Sequence, residues 1–193
     1  MDAALLVIDM QNGFVHPDGS TITINGPLPN VDKVIAETAS LLEEARGRGL
    51  PVIYTRHQFR QDFLDAPPKL LELFPTGVTP LVEGTWDAAV LDELAPADGD
   101  TMIDKNRFDA FLYTDLEIVL RALGVKKLLV TGVVTNVCVE STVRSGQQRD
   151  FVMTVASDCT AAAEGFHEPA LNAMAEVFAT VTTWREGLDG VLA

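Results

Sequence analysis

Cysteine, histidine and basic charge are all scarce in this chain, and each shortage excludes something. Among 193 residues there are 2 cysteines and 3 histidines. Two cysteines do not make the disulfide framework of a small secreted domain, so a reducing, cytoplasmic setting is the simplest expectation. Against 28 Asp and Glu stand only 14 Lys and Arg, a formal net charge of −14. That balance argues against a nucleic-acid partner and against an anionic membrane surface. No apolar run approaches the roughly 20 residues that cross a bilayer. The opening "MDAALLVIDMQNGF" carries an early acid and lacks the basic stretch of a signal peptide. Internal repeats and low-complexity segments are missing too. What remains, 47% hydrophobic and 22% charged residues, reads as one globular α/β domain spanning 1–193.

Its elements alternate. "AALLVID" (Ala3 to Asp9) is a continuous apolar run closed by an acid, as expected of a strand buried on both faces. The stretch from Asn30 to Gly49 keeps a helical period, with Asn30 as N-cap and Gly49 just past the end. Further strands are expected at Leu50–Thr55, Thr101–Lys105, Lys126–Gly132, Phe151–Ser157 and Thr180–Trp184. Between them lie helices at Thr114–Gly124, opened by a capping box from Thr114 to Glu117, at 136–149 and at Glu168–Ala179. Residues 56 to 100 are irregular and proline-rich. Such alternation implies right-handed βαβ units. The expected fold is a doubly wound three-layer sandwich around a central, mostly parallel six-stranded sheet.

In open sheets of this kind the site lies outside the carboxyl ends of the strands. Asp9, Lys105 and Cys138 all fall at such ends. With Thr135 or Asn136 as N-cap, Cys138 enters the first turn of a helix, where unpaired N–H groups favour a thiolate. A small buried hydrophobe would suit the same place. Cys159 has no helix starting immediately after it and reads as structural. Asp9 alone could cap neighbouring backbone, and Lys105 alone could be a surface lysine. Together, an acid, an ammonium and a thiol over one sheet form a nucleophilic site. The acid takes the thiol proton, the ammonium lowers its pKa, and helix N–H groups hold an oxyanion.

The blocks "LLVIDMQNGF", "GTWDAAVLDELAP", "DKNRFDAF" and "VTGVVTNVCVEST" resemble the isochorismatase-like cysteine hydrolases, in order and spacing, from about residue 4 to residue 183. The resemblance implies Asp9, Lys105 and Cys138 as a catalytic triad with Cys138 the nucleophile. It also implies a cis peptide between Val133 and Val134, an oxyanion hole from the N–H groups of Val134 and Cys138, and assembly as a homodimer or homotetramer.

Departures within the family narrow the chemistry. Nicotinamidases carry an acid and two histidines after the second strand as a metal site; "YTRHQFRQDF" offers His57 alone, so neither metal nor other cofactor is expected. The true isochorismatases cleave a vinyl ether and lack the cysteine, so Cys138 points to a carbonyl-type carbon. Carbamoyl amidases of the family often have tyrosine and serine where Phe108 and Asp109 stand here. The expectation is a cysteine-dependent amidohydrolase acting on a small amide, ureido or biuret-like compound. Phe14, His57, Arg107 and Phe108 are its candidate substrate-binding residues, Arg107 as a fork for a substrate carboxylate. The alternatives are a vinyl-ether hydrolase and a catalytically idle binding protein. A phosphoryl-transfer site fits poorly, because Gln11 stands where a second acid is needed and "DMQNGF" has one glycine. A thiol redox role lacks a resolving cysteine near Cys138.

Overall fold

The apolar run near the start forms strand β1 (Ala3–Ile8), buried throughout, in a computed structural model that describes residues 2–193 and their side chains except those of Thr23 and Asn25. It lies inside a six-stranded sheet with β2 (Val52–His57), β3 (Thr101–Lys105), β4 (Lys127–Val133), β5 (Val152–Ala161) and β6 (Thr180–Thr182), in the order β3-β2-β1-β4-β5-β6. Every pairing is parallel, so both faces must be covered. Successive side chains of β1 serve opposite cores. Ala3, Leu5 and Val7 pack on one face, and Ala4, Leu6 and Ile8 on the other.

The helices are α1 (Asn12–Val15), α2 (Ile22–Asn25), α3 (Val31–Gly47), α4 (Pro68–Leu71), α5 (Leu116–Ala122), α6 (Glu140–Gln147), α7 (His167–Val177) and α8 (Trp184–Leu192). Leu41, Leu42 and Ala45 of α3, with Leu188 and Val191 of α8, join the first core. Leu116 and Leu120 of α5, Val143 of α6, and Leu171 and Met174 of α7 join the second. The layers are those of the expected doubly wound sandwich.

Two glycines end their helices as the sequence suggested. Gly49, at φ 71°, donates its N–H to Arg46 O at 3.0 Å while Leu50 donates to Ala45 O at 2.9 Å. Gly124 and Val125 repeat the pattern on Arg121 and Leu120, and in each case carbonyls orphaned at the helix end are satisfied.

Capping by side chains departs from expectation. Asn30 precedes α3 in a left-handed conformation with no side-chain cap bond. Thr114 Oγ1 does accept the Leu116 N–H at 3.2 Å. Glu117 does not complete a capping box, because its carboxylate pairs with Arg121 and Arg149. After β4 neither Thr135 nor Asn136 is the cap: Val134 holds that position, and Thr135–Val139 form a wide π-helical turn that leads into α6.

The C-terminal expectations also shift. β5 continues through Asp158 to Ala161, and the last strand stops at Thr182. Trp184 begins α8, capped by Thr183. Its backbone N–H donates to Asp158 Oδ1 at 2.8 Å and its indole N–H to Glu37 Oε2 at 2.7 Å. Asp158 and Glu37 therefore anchor a helix start where the sequence suggested the end of a strand.

Strand order reverses between β1 and β4, which opens the crevice where ligands bind in such sheets. Gly132 makes the close approach there possible. A Cβ on it would stand 2.0 Å from the Ile8 carbonyl oxygen, at a φ of 119° that a side chain resists. The Val133–Val134 peptide that follows is cis, as the resemblance implied.

Candidate active site

Four neighbouring strands each deliver a side chain to the crevice. Lys105 ends β3, His57 ends β2 in register with it, Asp9 follows β1, and Cys138 lies in the turn after β4. All are buried, none more than 3% exposed. Asp9 takes a left-handed φ of 51°, a backbone state that persists in a non-glycine residue only where surroundings impose it. Thr55 supplies part of that imposition: its hydroxyl donates to Asp9 Oδ1 at 2.6 Å and accepts the Asp9 N–H at 3.2 Å. Lys105 Nζ stands 2.7 Å from Asp9 Oδ2. It also donates to Arg107 O at 3.0 Å and meets His57 Nδ1 at 3.3 Å. Cys138 Sγ is 4.0 Å from the same imidazole nitrogen.

Charge in this pocket follows from burial and pairing. Burial alone would lower the Lys105 pKa, yet Asp9 and Cys138 raise it above the ordinary lysine value, so it is an ammonium. Burial, then the Lys105 and Arg107 cations, hold His57 well below the ordinary histidine range. It is neutral, and beside an ammonium that only donates, its Nδ1 accepts and the proton rests on Nε2. That Nε2 has no hydrogen-bond partner among the described residues.

Cys138 corrects an expectation. Burial pushes its thiol above the ordinary range; Lys105 opposes the shift and Asp9 reinforces it. Desolvation outweighs the ammonium there.

Asp9, His57 and Cys138 each place one potential ligand atom within 4.8 Å of the others, among the described residues. A second cation does not fit that set, because the Lys105 ammonium already occupies it, 2.7 Å from Asp9 and 3.3 Å from His57. Prolonged EDTA treatment is therefore expected to leave activity within about twofold of the untreated enzyme, a change worth less than RT. Loss restored by added zinc would contradict this.

A cavity of about 160 Å³ opens over Cys138, walled by Phe14, Ile24, His57, Leu70, Phe108 and Val134 among others. Phe14, His57 and Phe108 are thus among the residues that wall the cavity. Arg107 is not. Its Nη1 donates to Asp65 O at 2.6 Å and Asn106 O at 2.8 Å, which ties that nitrogen to its own loop. Cys159 lies in the core, fully buried. A wider depression of about 440 Å³ near Lys33, Asp158 and His167 is lined by neither cysteine.

Two positioning residues escaped the sequence reading. One is Thr55. The other is Gln11, whose Nε2 donates to His57 O and Ala88 O at 2.9 and 2.8 Å while its Oε1 accepts the His57 N–H at 2.7 Å. Polar residues at the end of β2 and just beyond β1 were the one available hint, and they do not name their partners.

A buried acid, ammonium and thiol meeting where a parallel sheet reverses order is the arrangement of a cysteine hydrolase. The chain belongs to the isochorismatase family, whose Isochorismatase domain model matches residues 3–186. It is 34% identical to the ureidoacrylate amidohydrolase RutB of Caulobacter segnis, over 98% of this chain and 87% of that protein. The enzyme of the same name from Caulobacter vibrioides is 35% identical, over 81% and 76%. Among solved structures, an isochorismatase family protein from Desulfovibrio vulgaris superposes with a TM-score of 0.88 at 33% identity, covering 99% of this chain and 98% of that one. N-carbamoylsarcosine amidase from Thermoplasma acidophilum does so with a TM-score of 0.80 at 27% identity, covering 95% and 97%.

Proposed function

We propose that this protein is a cysteine amidohydrolase that cleaves a C–N bond of a small ureido or amide compound, with Asp9, Lys105 and Cys138 as its catalytic residues. The Cys138 thiol gives its proton to Asp9 as sulfur attacks the carbonyl carbon. The N–H groups of Val134, which caps the turn that walls the cavity, and of Cys138 within it hold the oxyanion. Asp9 then protonates the departing nitrogen, which leaves as ammonia or an amine, and a thioester remains on Cys138. Water, losing a proton to Asp9, attacks the thioester, and the same proton restores the thiol. Lys105 stays charged throughout and balances whichever of its two neighbours is the anion.

The observation that carries this reading is the fully buried Asp9–Lys105 pair beside Cys138. A carboxylate able to carry a proton and a fixed cation beside a thiol support that reading. The relatives named as ureidoacrylate amidohydrolases support the C–N bond and the small substrate. No helix among the described residues is long and apolar enough to cross a membrane. A cytoplasmic location and assembly as a homodimer or homotetramer belong to the same proposal, supported by the family resemblance.

The test is an ammonia-release screen over ureido acids, alkylureas, biuret, nicotinamide, aliphatic amides and hydrazides, with isochorismate as control. Hydrazides are followed by hydrazine release. Turnover of a ureido or amide compound that disappears in Cys138→Ala is expected. Hydrolysis of isochorismate alone, retained in Cys138→Ala, would overturn the proposal in favour of vinyl-ether chemistry.

A further inference from the structure

Hydrolysis of a C–N bond does not require the cavity over Cys138 to be as apolar as it is. Ile24, Leu70, Leu73, Phe74, Phe108 and Val137 dominate its wall, and no charged side chain lines it among the described residues. The polar groups nearby are already committed. Thr21 Oγ1 donates to Gly13 O at 2.7 Å. Lys105 faces Asp9, Arg107 O and His57 Nδ1. Arg107, the one arginine the sequence offered for a substrate carboxylate, is not among the residues that line the cavity, and its Nη1 is turned to Asp65 O and Asn106 O. His57 adds a single N–H, on a neutral ring. An anionic substituent entering this space would lose its hydration and gain no cation, which costs far more than burying an alkyl group of the same shape. Ureidoacrylate, after which the relatives are named, bears such an anion.

Size adds a second limit. The cavity measures about 160 Å³, close to the roughly 150 Å³ that accommodates one benzene.

We propose that the preferred substrate is an uncharged amide or urea whose substituent is a compact apolar group, and that ureido acids are poor substrates. This rests on the amidohydrolase reading above and narrows it.

A matched pair tests it: isobutylurea against ureidoacetate, in which an isopropyl group and a carboxylate of similar shape exchange places. The expected result is a kcat/KM for ammonia release at least about 100-fold higher for isobutylurea, the scale of an unpaired buried anion. Equal rates, or preference for the acid, would overturn the inference while leaving the amidohydrolase reading intact. Reversible inhibition supplies a readout independent of turnover. 4-Methylpentanal and succinic semialdehyde form the same kind of pair, and either can add the Cys138 S–H across its carbonyl to give a hemithioacetal. Tighter binding of 4-methylpentanal is expected even if neither urea is cleaved, an outcome that would instead count against the amidohydrolase reading. Tighter binding of the semialdehyde would overturn the inference. Leu73, 53% exposed at the cavity rim, allows a converse variant. Leu73→Arg should narrow the preference at least tenfold by giving a carboxylate a partner, a change of about 1.4 kcal/mol. An unchanged ratio would overturn the placement of the substituent against this wall.

Discussion

Replacing Cys138 by alanine should lower kcat by at least about 10⁴-fold, the scale seen when a covalent nucleophile is lost. Cys159→Ala should retain most of the activity. The chain offers only these two thiols, and both are buried and held above the ordinary cysteine range. Acidity therefore does not separate them; surroundings do. Cys138 faces the substrate cavity beside Lys105 and His57. Cys159 packs inside the core while its carbonyl accepts the Thr131 hydroxyl at 2.6 Å. Its loss should cost about 1 kcal/mol of stability, as an ordinary buried truncation does. Steady-state product release and thermal melts on both variants measure the contrast. Reversal of the two phenotypes would move the nucleophile to β5.

Lys105→Ala should damage stability and activity together. Both side chains of the Asp9–Lys105 pair are 0% exposed at a separation of 2.7 Å. Removing one partner leaves an uncompensated carboxylate in the interior, a loss of about 3–5 kcal/mol. Turnover should fall about 10³-fold, the upper range for removal of one electrostatic stabiliser. The thiol should also become harder to ionise, because Lys105 is the influence that opposes burial at Cys138. Iodoacetamide alkylation of Cys138 followed against pH reports this directly, with the rising limb displaced to higher pH in the variant. Asp9→Asn combined with Lys105→Met removes both charges. That double variant should recover much of the lost stability and none of the activity, since a buried pair is costly to break and cheap to replace. An alkylation profile identical to wild type in Lys105→Ala would remove Lys105 from the site.

The legible parts of this protein are those governed by local chemistry. A run such as "AALLVI" is buried on both faces wherever it lies in a parallel sheet, and all of β1 is. Gly49 and Gly124 could be read as helix ends because a left-handed residue there is a local requirement. Asp9, Lys105 and Cys138 could be grouped because strand ends converge in any doubly wound sheet, and the family resemblance then added the cis peptide and the roles. What depends on long-range partners was not legible. Thr55 is one more strand residue until its hydroxyl is seen on Asp9, 46 positions away. Trp184 looks like the end of an apolar strand until Asp158 and Glu37 receive its N–H groups. The expected lowering of the thiol pKa is opposed by burial for a related reason. A helix start argues for ionisation, but the depth of burial that reverses it is set by the cavity walls, which come from segments far from Cys138 in the chain.

The central claim is that a covalent thioester forms on Cys138, and mass analysis of the enzyme quenched in acid during turnover tests it most directly. The account predicts an acyl or carbamoyl adduct on the peptide containing Cys138 that vanishes once substrate is exhausted and never forms in Cys138→Ala. An adduct on Cys159, or full turnover by Cys138→Ala with no adduct on either cysteine, would contradict it.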